Sequence, residues 1–550
     1  MSTRAHVLIV GASGTFGSRL ARLLARRQAF RLSLGGRDET KVKPLQAELR
    51  AIDPQGEHAF VMMDRNKVSA DRLREIGSWI VVDCAGPFQG SGTALIEAAI
   101  AARCHYIDLA DSRAFVADIK RFDGAARAQS VGVFTGASST PALTHAVLAT
   151  LTAGWRQIDT IDIAIVPGNR TPKGRSVVEG ILSWVGQKVR VFNEGQWQER
   201  RGWSGTHLAH VEGLTPRRAA LADVPDLDLL VARFQPRVRA RFDAGMELWL
   251  LHWLIGLSGA CVRLRLVRSA KLFTGLGTWI ALRLDRFGTD SGGMVIEVTG
   301  LDQRLEPKMV RWSLRAEKGD GPYVPAIPAA ATIWAVAKGQ AMTGARAATG
   351  VLTIEALKPW FDGLAITTRT SSFKREVPLF ARVMGRDFVS LPEVTRRLHR
   401  GRPAMLAEGE AAVVGARNAV GRLVAKLFGL PAEASRVPVR VLIESRDGRE
   451  YWTRFFDGRP MRSVMQRVGD GIVEERFGPV AIKMVLVARP DGLDMVPSSG
   501  RIGSVPIPSF LLPAIKAEER TEGAHRHRFD VEIGLPLIGR LVAYRGYLEL

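Results

Sequence analysis

The 550-residue chain has few cysteines and no cysteine motif. Its three cysteines, Cys84, Cys104 and Cys261, lie far apart and form no CxxC pair. This spacing excludes a disulfide framework and a cysteine-based zinc site, and it is typical of a protein in a reducing cytoplasm. The first apolar run begins almost at the N-terminus, so we expect no signal peptide.

The sequence also lacks an apolar run of the ~20 residues that a membrane-spanning helix needs. Its most apolar stretch, residues 246–262, contains Glu247 and His252 and is followed by several arginines. A second apolar run covers residues 272–284. Two interpretations remain open: core elements of a domain, or a hairpin at an anionic membrane surface, where tryptophans beside basic residues are favourable.

Negative charge is in deficit, since 77 Lys and Arg residues face 55 Asp and Glu residues, for a net charge of +22. Such a charge favours anionic partners. The basic residues are spread along the chain without a compact tract, so we predict no nucleic-acid partner. The chain has no HExxH motif and no Ser-His-Asp arrangement. His207 and His210, three residues apart, lack a third ligand, so we predict no metal site.

A glycine motif near the N-terminus carries the strongest signal. Residues 7–17 read VLIVGASGTFG, and an amphipathic run follows. A buried strand, a glycine turn and a helix form the context in which this spacing predicts a dinucleotide site. There, Gly11 permits the turn, Gly14 lets a pyrophosphate approach, and Gly17 lets the helix pack on the strand. We predict that the cofactor contacts Gly11, Ser13, Gly14, Thr15, Phe16 and Gly17.

Further cofactor contacts are predicted where later strands end. The second strand ends in Gly35-Gly36-Arg37, and Arg37 offers a planar fork for a 2′-phosphate, which favours NADP(H) over NAD(H). Asp64, after the third strand, is predicted near the adenine ring. The fourth strand leads into Ala85, Gly86, Pro87 and Phe88, predicted beside the nicotinamide.

Strands and helices alternate up to about residue 138, which predicts a parallel sheet with right-handed crossovers. The glycine loop, residues 35–37, the run Asp83-Cys84-Ala85-Gly86-Pro87-Phe88 and the run His105-Tyr106-Ile107-Asp108-Leu109 resemble the saccharopine dehydrogenase-like family, which includes trans-acting enoyl reductases. The resemblance extends over about residues 5–365 and is weak in the middle. It implies a bound NADP(H) and hydride transfer, and it leaves the substrate open.

A reduction also needs a proton donor. Tyr106, Asp108 and Asp111 lie on or after a strand whose carboxyl end faces the predicted cleft. We take these three as candidate catalytic residues. Each has an equally plain structural reading, a packed aromatic for Tyr106 and helix caps for the two aspartates.

The fold class predicted is α/β: a Rossmann-type parallel sheet with an inserted antiparallel α+β substrate domain, plus a C-terminal α+β domain dominated by an antiparallel sheet. The predicted boundaries are 1–140 for the NADP-binding domain, 141–365 for the substrate domain, 366–378 for a linker and 379–550 for the C-terminal domain. Within the last, residues 391–399 and 411–428 are predicted helices, followed by hairpins with Asp-Gly turns.

The C-terminal part resembles a bacterial family known as a domain of unknown function, DUF4166. The matching residues include Trp452-Thr453-Arg454-Phe455-Phe456, Glu474-Glu475-Arg476-Phe477-Gly478 and the terminal Gly546-Tyr547-Leu548-Glu549-Leu550. Arg454, Glu475 and Arg476 interrupt apolar strands. They either ring the polar end of a cavity for an apolar ligand or form surface ion pairs.

Together these features predict an NADP(H)-dependent oxidoreductase that reduces a carbonyl, imine or enoyl group of a small-molecule or lipid-like substrate. The competing class is a non-catalytic nucleotide-binding scaffold or redox sensor whose C-terminal domain binds a lipid or protein partner. The predicted location is cytoplasmic. Peripheral contact with the inner membrane surface and a homodimer both stay open.

Overall fold

The computed structural model describes residues 4–172, 175–373 and 377–550. Its first part alternates strands and helices, because short runs of Val, Leu and Ile are each followed by an amphipathic segment. The elements are β1 (Ala5–Val10), α1 (Thr15–Arg27), β2 (Phe30–Gly36), α2 (Lys43–Ile52), β3 (His58–Met62), α3 (Ala70–Ile76), β4 (Ile80–Asp83), α4 (Ala94–Ala101), β5 (His105–Asp108), α5 (Arg113–Asp118), α6 (Asp123–Ala128), β6 (Gly132–Thr135) and α7 (Thr144–Leu151).

The second part carries longer strands and the most apolar helices of the chain. Its elements are β7 (Gln157–Val166), α8 (Arg175–Trp184), β8 (Lys188–Asn193), β9 (Gln196–Arg201), β10 (His207–Ala209), β11 (Arg217–Leu221), α9 (Asp226–Phe234), β12 (Arg239–Met246), α10 (Trp249–Arg263), α11 (Thr274–Arg283), β13 (Gly292–Leu301) and β14 (Pro307–Ala316). The chain then passes through α12 (Ala326–Ala337), β15 (Gly344–Ala347), α13 (Ile354–Leu357) and β16 (Ile366–Phe373).

The first sheet is parallel throughout, with strand order β15-β6-β5-β4-β1-β2-β3. The order reverses at β1, where a ligand crevice opens at the carboxyl ends of the strands. The predicted Rossmann-type sheet is confirmed, and β15 joins it from far along the chain. Its strands are buried on both faces, as a parallel sheet covered by helices requires.

The second sheet follows the path β10-β11-β12-β7-β13-β14-β16, with β8 pairing β12 and β9. It is mixed, because β7 and β12 run parallel while the other pairs are antiparallel. Residues 366–373, predicted as the start of a linker, form β16, which pairs with β14 as the edge strand of this sheet. This part of the linker prediction is wrong, because Thr-rich polar sequence also forms edge strands. Residues 374–376 of that linker lie outside the described residues, and the domain boundaries remain predictions.

The C-terminal part is dominated by one antiparallel sheet. Its elements are α14 (Leu379–Met384), α15 (Asp387–Ser390), α16 (Glu393–Leu398), β17 (Ala404–Gly415), α17 (Ala419–Leu427), β18 (Ala434–Arg446), β19 (Arg449–Phe456), β20 (Arg459–Gly469), β21 (Ile472–Phe477), β22 (Val480–Arg489), β23 (Gly492–Ile502), β24 (Val505–Pro506), β25 (Ala514–Glu522), β26 (Arg526–Leu535) and β27 (Gly539–Glu549).

Ten of these strands close into a barrel. Sequence neighbours pair around the ring, and β27 pairs with β17 to complete it. The helix predicted over residues 411–428 is wrong in its first part: residues 404–415 are β17, and the helix begins only after Asn418, whose side chain accepts a hydrogen bond from the Gly421 amide at 2.7 Å. The predicted antiparallel sheet with nearby helices is confirmed.

The barrel contacts the second sheet through charged pairs. Arg239 lies between Asp162 (2.7 Å) and Glu444 of the barrel (2.8 Å), and Arg402 pairs with Asp159 at 2.6 Å. Within the described residues, no helix combines the length and the apolar character needed to cross a bilayer.

Candidate active site

The glycine turn joins β1 to α1 and forms one end of a cavity. Gly11 has φ +78°, a conformation that favours glycine. The Gly11 amide donates to the carbonyl of Gly35 at 2.9 Å. A Cβ on Gly17 would lie 2.4 Å from the Gly11 carbonyl oxygen, so no larger residue fits there. The N-cap residue of α1 is Gly14, which has no side chain to cap the helix, so the first-turn N–H groups are available to an anion.

A cavity of about 1,120 Å³ runs from this turn into the second part of the chain. Of the residues predicted to contact a cofactor, all but Gly17 line it: Gly11, Ser13, Gly14, Thr15, Phe16, Arg37, Asp64, Ala85, Gly86, Pro87 and Phe88. Gly17 acts instead through the close packing just described. The sequence therefore predicted one continuous wall from four separate segments, because the carboxyl ends of parallel strands meet at one edge of a sheet.

Arg37 and its neighbour Asp38 differ in their surroundings. Arg37 is exposed and lines the cavity. Asp38 accepts hydrogen bonds from the amide and hydroxyl of Thr40, at 3.0 and 2.5 Å, and these bonds lower its pKa. Asp38 is thus held within its own turn, while the guanidinium of Arg37 stands at the cavity rim.

Arg65 fixes the loop that follows β4, and sequence analysis missed it. Its guanidinium lies 2.8 Å from the Asp83 carboxylate, donates to the Ala85 carbonyl at 2.7 Å, and covers the Phe88 ring at 4.8 Å. Burial raises the pKa of Asp83, and the charge of Arg65 opposes that shift. Its position could have indicated this role, because Arg65 directly follows the predicted contact Asp64 and faces the carboxyl end of β4.

Two of the three candidate proton donors are enclosed in the sheet. Tyr106 and Asp108 are fully buried and do not line the cavity. The Tyr106 hydroxyl is 3.5 Å from Asp83, and one Asp108 oxygen accepts from Thr135 and the Gly136 amide at 2.9 and 2.7 Å. Burial raises the pKa of Asp108 to about 7. Their positions contradict a direct proton transfer to substrate, because residues on a central strand point into the layers that cover the sheet.

Asp111, the third candidate, does line the cavity. Asp111 is exposed at the cavity wall, and desolvation by the surrounding protein raises its pKa. The side-chain amide of Gln89 donates to its Oδ1 at 3.1 Å. Oδ2 is the position at which a proton would be carried.

A further carboxyl on the cavity wall, that of Asp223, was not predicted. Its oxygen lies 3.2 Å from the guanidinium of Arg113, which also pairs with Asp228. Burial raises the pKa of Asp223, and the Arg113 charge opposes the shift. No sequence motif pointed to Asp223, because it lies in a loop between β11 and α9, where the secondary structure is hard to predict from the sequence.

The far half of the cavity is apolar. It lies between α8, α10, α11 and the second sheet. Its wall contains Val178, Ile181, Leu182, Leu251, Leu254, Ile255, Phe273, Ile280, Phe242, Met246, Met294 and Leu314. One face of the helices formed by the two apolar runs lines this internal cavity, and several residues on their other face are exposed.

The remaining histidine, cysteine and barrel residues singled out from the sequence do not form a second catalytic or metal site among the described residues. His207 lies on β10 rather than on a helix, and the described residues contain no cluster of three metal-ligating side chains. Cys84 lines the cavity, where burial raises its thiol pKa. In the barrel, Arg454 and Glu475 form a largely buried pair at 3.1 Å, joined by Ser463, whereas Arg476 donates to the Gly478 carbonyl on the outside.

Two segments match known protein families. Residues 7–149 match the saccharopine dehydrogenase NADP binding domain, and residues 391–548 match the domain of unknown function DUF4166. Both resemblances predicted from the sequence are confirmed. The first match supports an NAD(P)-dependent oxidoreductase with an NADP-binding domain, and it does not specify the substrate. No curated protein sequence gives a significant match.

Solved structures that resemble the chain include two dehydrogenases. Saccharopine dehydrogenase (L-Glu forming) of Saccharomyces cerevisiae is 9% identical with a TM-score of 0.49, over 67% of this chain and 100% of that one. A probable dehydrogenase from Thermotoga maritima is 11% identical with a TM-score of 0.34, over 67% and 98%. A metagenomic short-chain oxidoreductase in complex with NADP is 19% identical over 24% and 80%, with a TM-score of 0.19.

Proposed function

We propose that this protein is an NADP(H)-dependent reductase that transfers hydride to a carbonyl, imine or enoyl group at the end of a long apolar chain. One observation carries the proposal. A single cavity begins at the glycine turn and Arg37 and continues into an apolar space between α8, α10 and α11. Such a cavity accommodates a phosphorylated dinucleotide at one end and a lipid-like substrate at the other.

The cofactor half fits NADP(H) by its steric and charge properties. The turn excludes a Cβ at Gly17, and the first-turn amides of α1 suit a pyrophosphate. Arg37 would hold the 2′-phosphate, because its fork matches phosphate oxygens and Asp38 is engaged by Thr40. Asp64 would lie near the adenine, and residues 85–88, fixed by Arg65, near the nicotinamide. Bound there, NADP(H) supplies or accepts the hydride.

The apolar half supports a lipid-like substrate over a free amino acid. Each methylene moved from water into an apolar site gains about 0.8 kcal/mol, which is about fourfold in affinity. The wall around this space provides leucine, isoleucine and phenylalanine side chains and few charges. Binding energy from the chain would hold the reacting group near residues 85–88.

Asp111 is the residue we assign to proton transfer. Its raised pKa favours the protonated form at neutral pH more than an ordinary aspartate does, and Gln89 orients it through Oδ1. A proton on Oδ2 would be donated to the atom on which negative charge develops as hydride arrives. Tyr106 and Asp108 hold the surrounding sheet and take no part in this transfer.

Chain length provides the test. NADPH oxidation is followed with enoyl and carbonyl substrates of increasing acyl length, in the wild type and in Gly277→Phe. A Cβ on Gly277 would meet Val178 and Leu182 at 3.8–3.9 Å, so a phenylalanine fills the apolar space. We expect kcat/KM to rise about fourfold per methylene until the cavity is full, and the variant to lose this rise while binding NADPH normally.

Gly275→Phe is the matched control, because a Cβ there meets nothing within 4 Å and Gly275 does not line the cavity. A rate independent of chain length would contradict the lipid-like substrate. NADPH that binds but is never oxidised by any substrate would favour the non-catalytic scaffold instead.

A further inference from the structure

The outer surfaces of α10, α11 and their connection expose many large apolar side chains. Trp249 is 62% exposed, Trp253 53% and Trp279 55%. The same surface, which we call the hairpin face, also exposes Leu250, Leu257, Leu264, Leu266, Leu272, Leu276, Leu282 and Phe287. Such a concentration is unusual for a surface in contact with water and marks an interaction site.

Charge on the hairpin face is strongly positive. Residues 249–287 contain six basic side chains and one acidic one, Asp285. The basic residues are Arg263, Arg265, Arg268, Lys271, Arg283 and Arg286. The guanidinium of Arg283 covers the Trp279 ring at 5.1 Å. Tryptophans bordered by basic side chains are the composition that binds the headgroup region of an anionic bilayer.

The cavity opens on this same face. Leu257 of α10 and Leu276 of α11 both line the cavity wall, and they are 63% and 57% exposed. A leucine that belongs to an internal wall and is also mostly accessible marks the mouth of the cavity. The mouth lies where Leu257 of α10 and Leu276 of α11 line the cavity, on the face that also exposes the tryptophans.

We propose that the hairpin face docks on an anionic lipid bilayer, and that the mouth between α10 and α11 admits an apolar chain directly from the membrane. Docking rests on the surface alone, whereas the entry of substrate rests on the proposed function. Helices of 15 and 10 residues extend about 22 and 15 Å, so they lie in the interface and do not cross the bilayer. A second copy of the chain is disfavoured as the occupant, because two such basic surfaces repel.

Vesicle flotation of the full-length chain, without cofactor or substrate, tests the docking. The vesicles are pure phosphatidylcholine or phosphatidylcholine mixed with phosphatidylglycerol. We expect binding to the mixed vesicles and much weaker binding to the neutral ones. Arg263→Gln/Arg265→Gln/Arg268→Gln removes three charges at about fivefold each, so affinity for mixed vesicles should fall on the order of a hundredfold.

Trp249→Ser/Trp253→Ser should lower binding to mixed vesicles at least tenfold, since two exposed indoles no longer enter the interface. The control is Leu423→Ser/Leu427→Ser on α17, whose leucines are also highly exposed. It should bind vesicles like the wild type. Binding lost in the α17 variant and kept in the hairpin variants would overturn the proposal. So would equal binding to both vesicle types, or a dimer that the tryptophan variant abolishes while no vesicle is bound.

The two proposals fail separately. None of the substituted arginines and tryptophans lines the cavity, so these variants should bind NADPH and reduce a short, water-soluble substrate at the wild-type rate. If vesicle binding fails while this reduction persists, docking is wrong and the reductase stands. If vesicles are bound but no substrate is reduced, the reductase is wrong and docking stands.

Discussion

Replacement of Arg37 by alanine tests the choice of cofactor. Arg37 is the exposed cation at the cavity rim where β2 ends, and Asp38 beside it is held by Thr40 and lies 3.6 Å from Lys41. A hydrogen bond to a charged group contributes about 1.5–3 kcal/mol. Because solvent screens Arg37, we take the lower end of this range, which corresponds to about a tenfold weaker Kd for NADPH. The Kd for NADH should change less than twofold.

The assay is a fluorescence titration of each nucleotide at two salt concentrations. Arg31→Ala is the matched control, because Arg31 is an exposed arginine within β2 that pairs with Glu57 at 2.8 Å. It should leave both affinities unchanged. The loss in Arg37→Ala should shrink at high salt, since screening already weakens the wild-type contact. Equal losses for NADPH and NADH would show that Arg37 supports the turn and does not read the 2′-phosphate.

Three further perturbations follow from the same structure. Gly17→Ala places a methyl group 2.4 Å from the Gly11 carbonyl oxygen, so NADPH affinity should fall at least tenfold and Tm should drop. The control is Gly124→Ala, where a Cβ meets nothing within 4 Å, and it should leave NADPH affinity and Tm unchanged. A Gly17→Ala variant with unchanged affinity and Tm would contradict the close packing. Asp111→Asn should slow reduction about a hundredfold and leave NADPH affinity unchanged. The wild-type rate should fall as pH rises through the raised pKa of Asp111. If the rate of the variant falls with pH in the same way, the proton comes from another group. Asp108 has a pKa of about 7 in the folded protein and an ordinary one when unfolded, so its stabilising contribution is complete below about pH 4 and is lost as pH rises to about 7. Asp108→Asn stays neutral, so it should raise the free energy of unfolding at pH 8 by about 4 kcal/mol at most and leave it unchanged at pH 4. Urea unfolding that shows the same change at both pH values would refute this.

The cofactor wall was predictable because its signals are local and the sheet brings them together. The glycine motif of residues 11–16 predicts the turn. Runs of apolar residues that form parallel strands precede Arg37, Asp64 and residues 85–88. Apart from the buried Ala12, all of these residues line one cavity. In a parallel sheet the carboxyl ends of all strands lie at the same edge, so these residues could be placed together without knowledge of any long-range contact.

The choice among proton donors was not predictable from the same pattern. Asp108 and Asp111 are three residues apart, and only the exact end of β5 separates a buried position from one on the cavity wall. Strand ends are the least certain feature of a sequence-based prediction. Arg65 was missed for a related reason: its role depends on Asp83, which ends β4, and on Ala85 in the loop after it.

The predicted helix over residues 411–428 was wrong in its first part, because the order of apolar residues there fits both a helix and a strand. Residues 411–414 are apolar in a row and continue into α17, which suggests one helical face, yet Ala411 and Val413 are buried while Ala412 and Val414 are exposed, as in a strand. Asn418, a good N-cap, marked the true start of the helix. Closure of the barrel through β17 and β27 joins residues more than 120 positions apart, and local turn signals contain no information on that pair.

The central claim is that one cavity binds NADP(H) beside a long apolar substrate. The most direct measurement is NADPH oxidation by the wild-type protein with a long-chain enoyl or carbonyl substrate and its short-chain analogue, after titration with NADPH and NADH. We predict that NADPH binds about tenfold more tightly than NADH and is oxidised with a higher kcat/KM for the long chain. Binding of neither nucleotide, or equal rates for both chain lengths, would contradict the account.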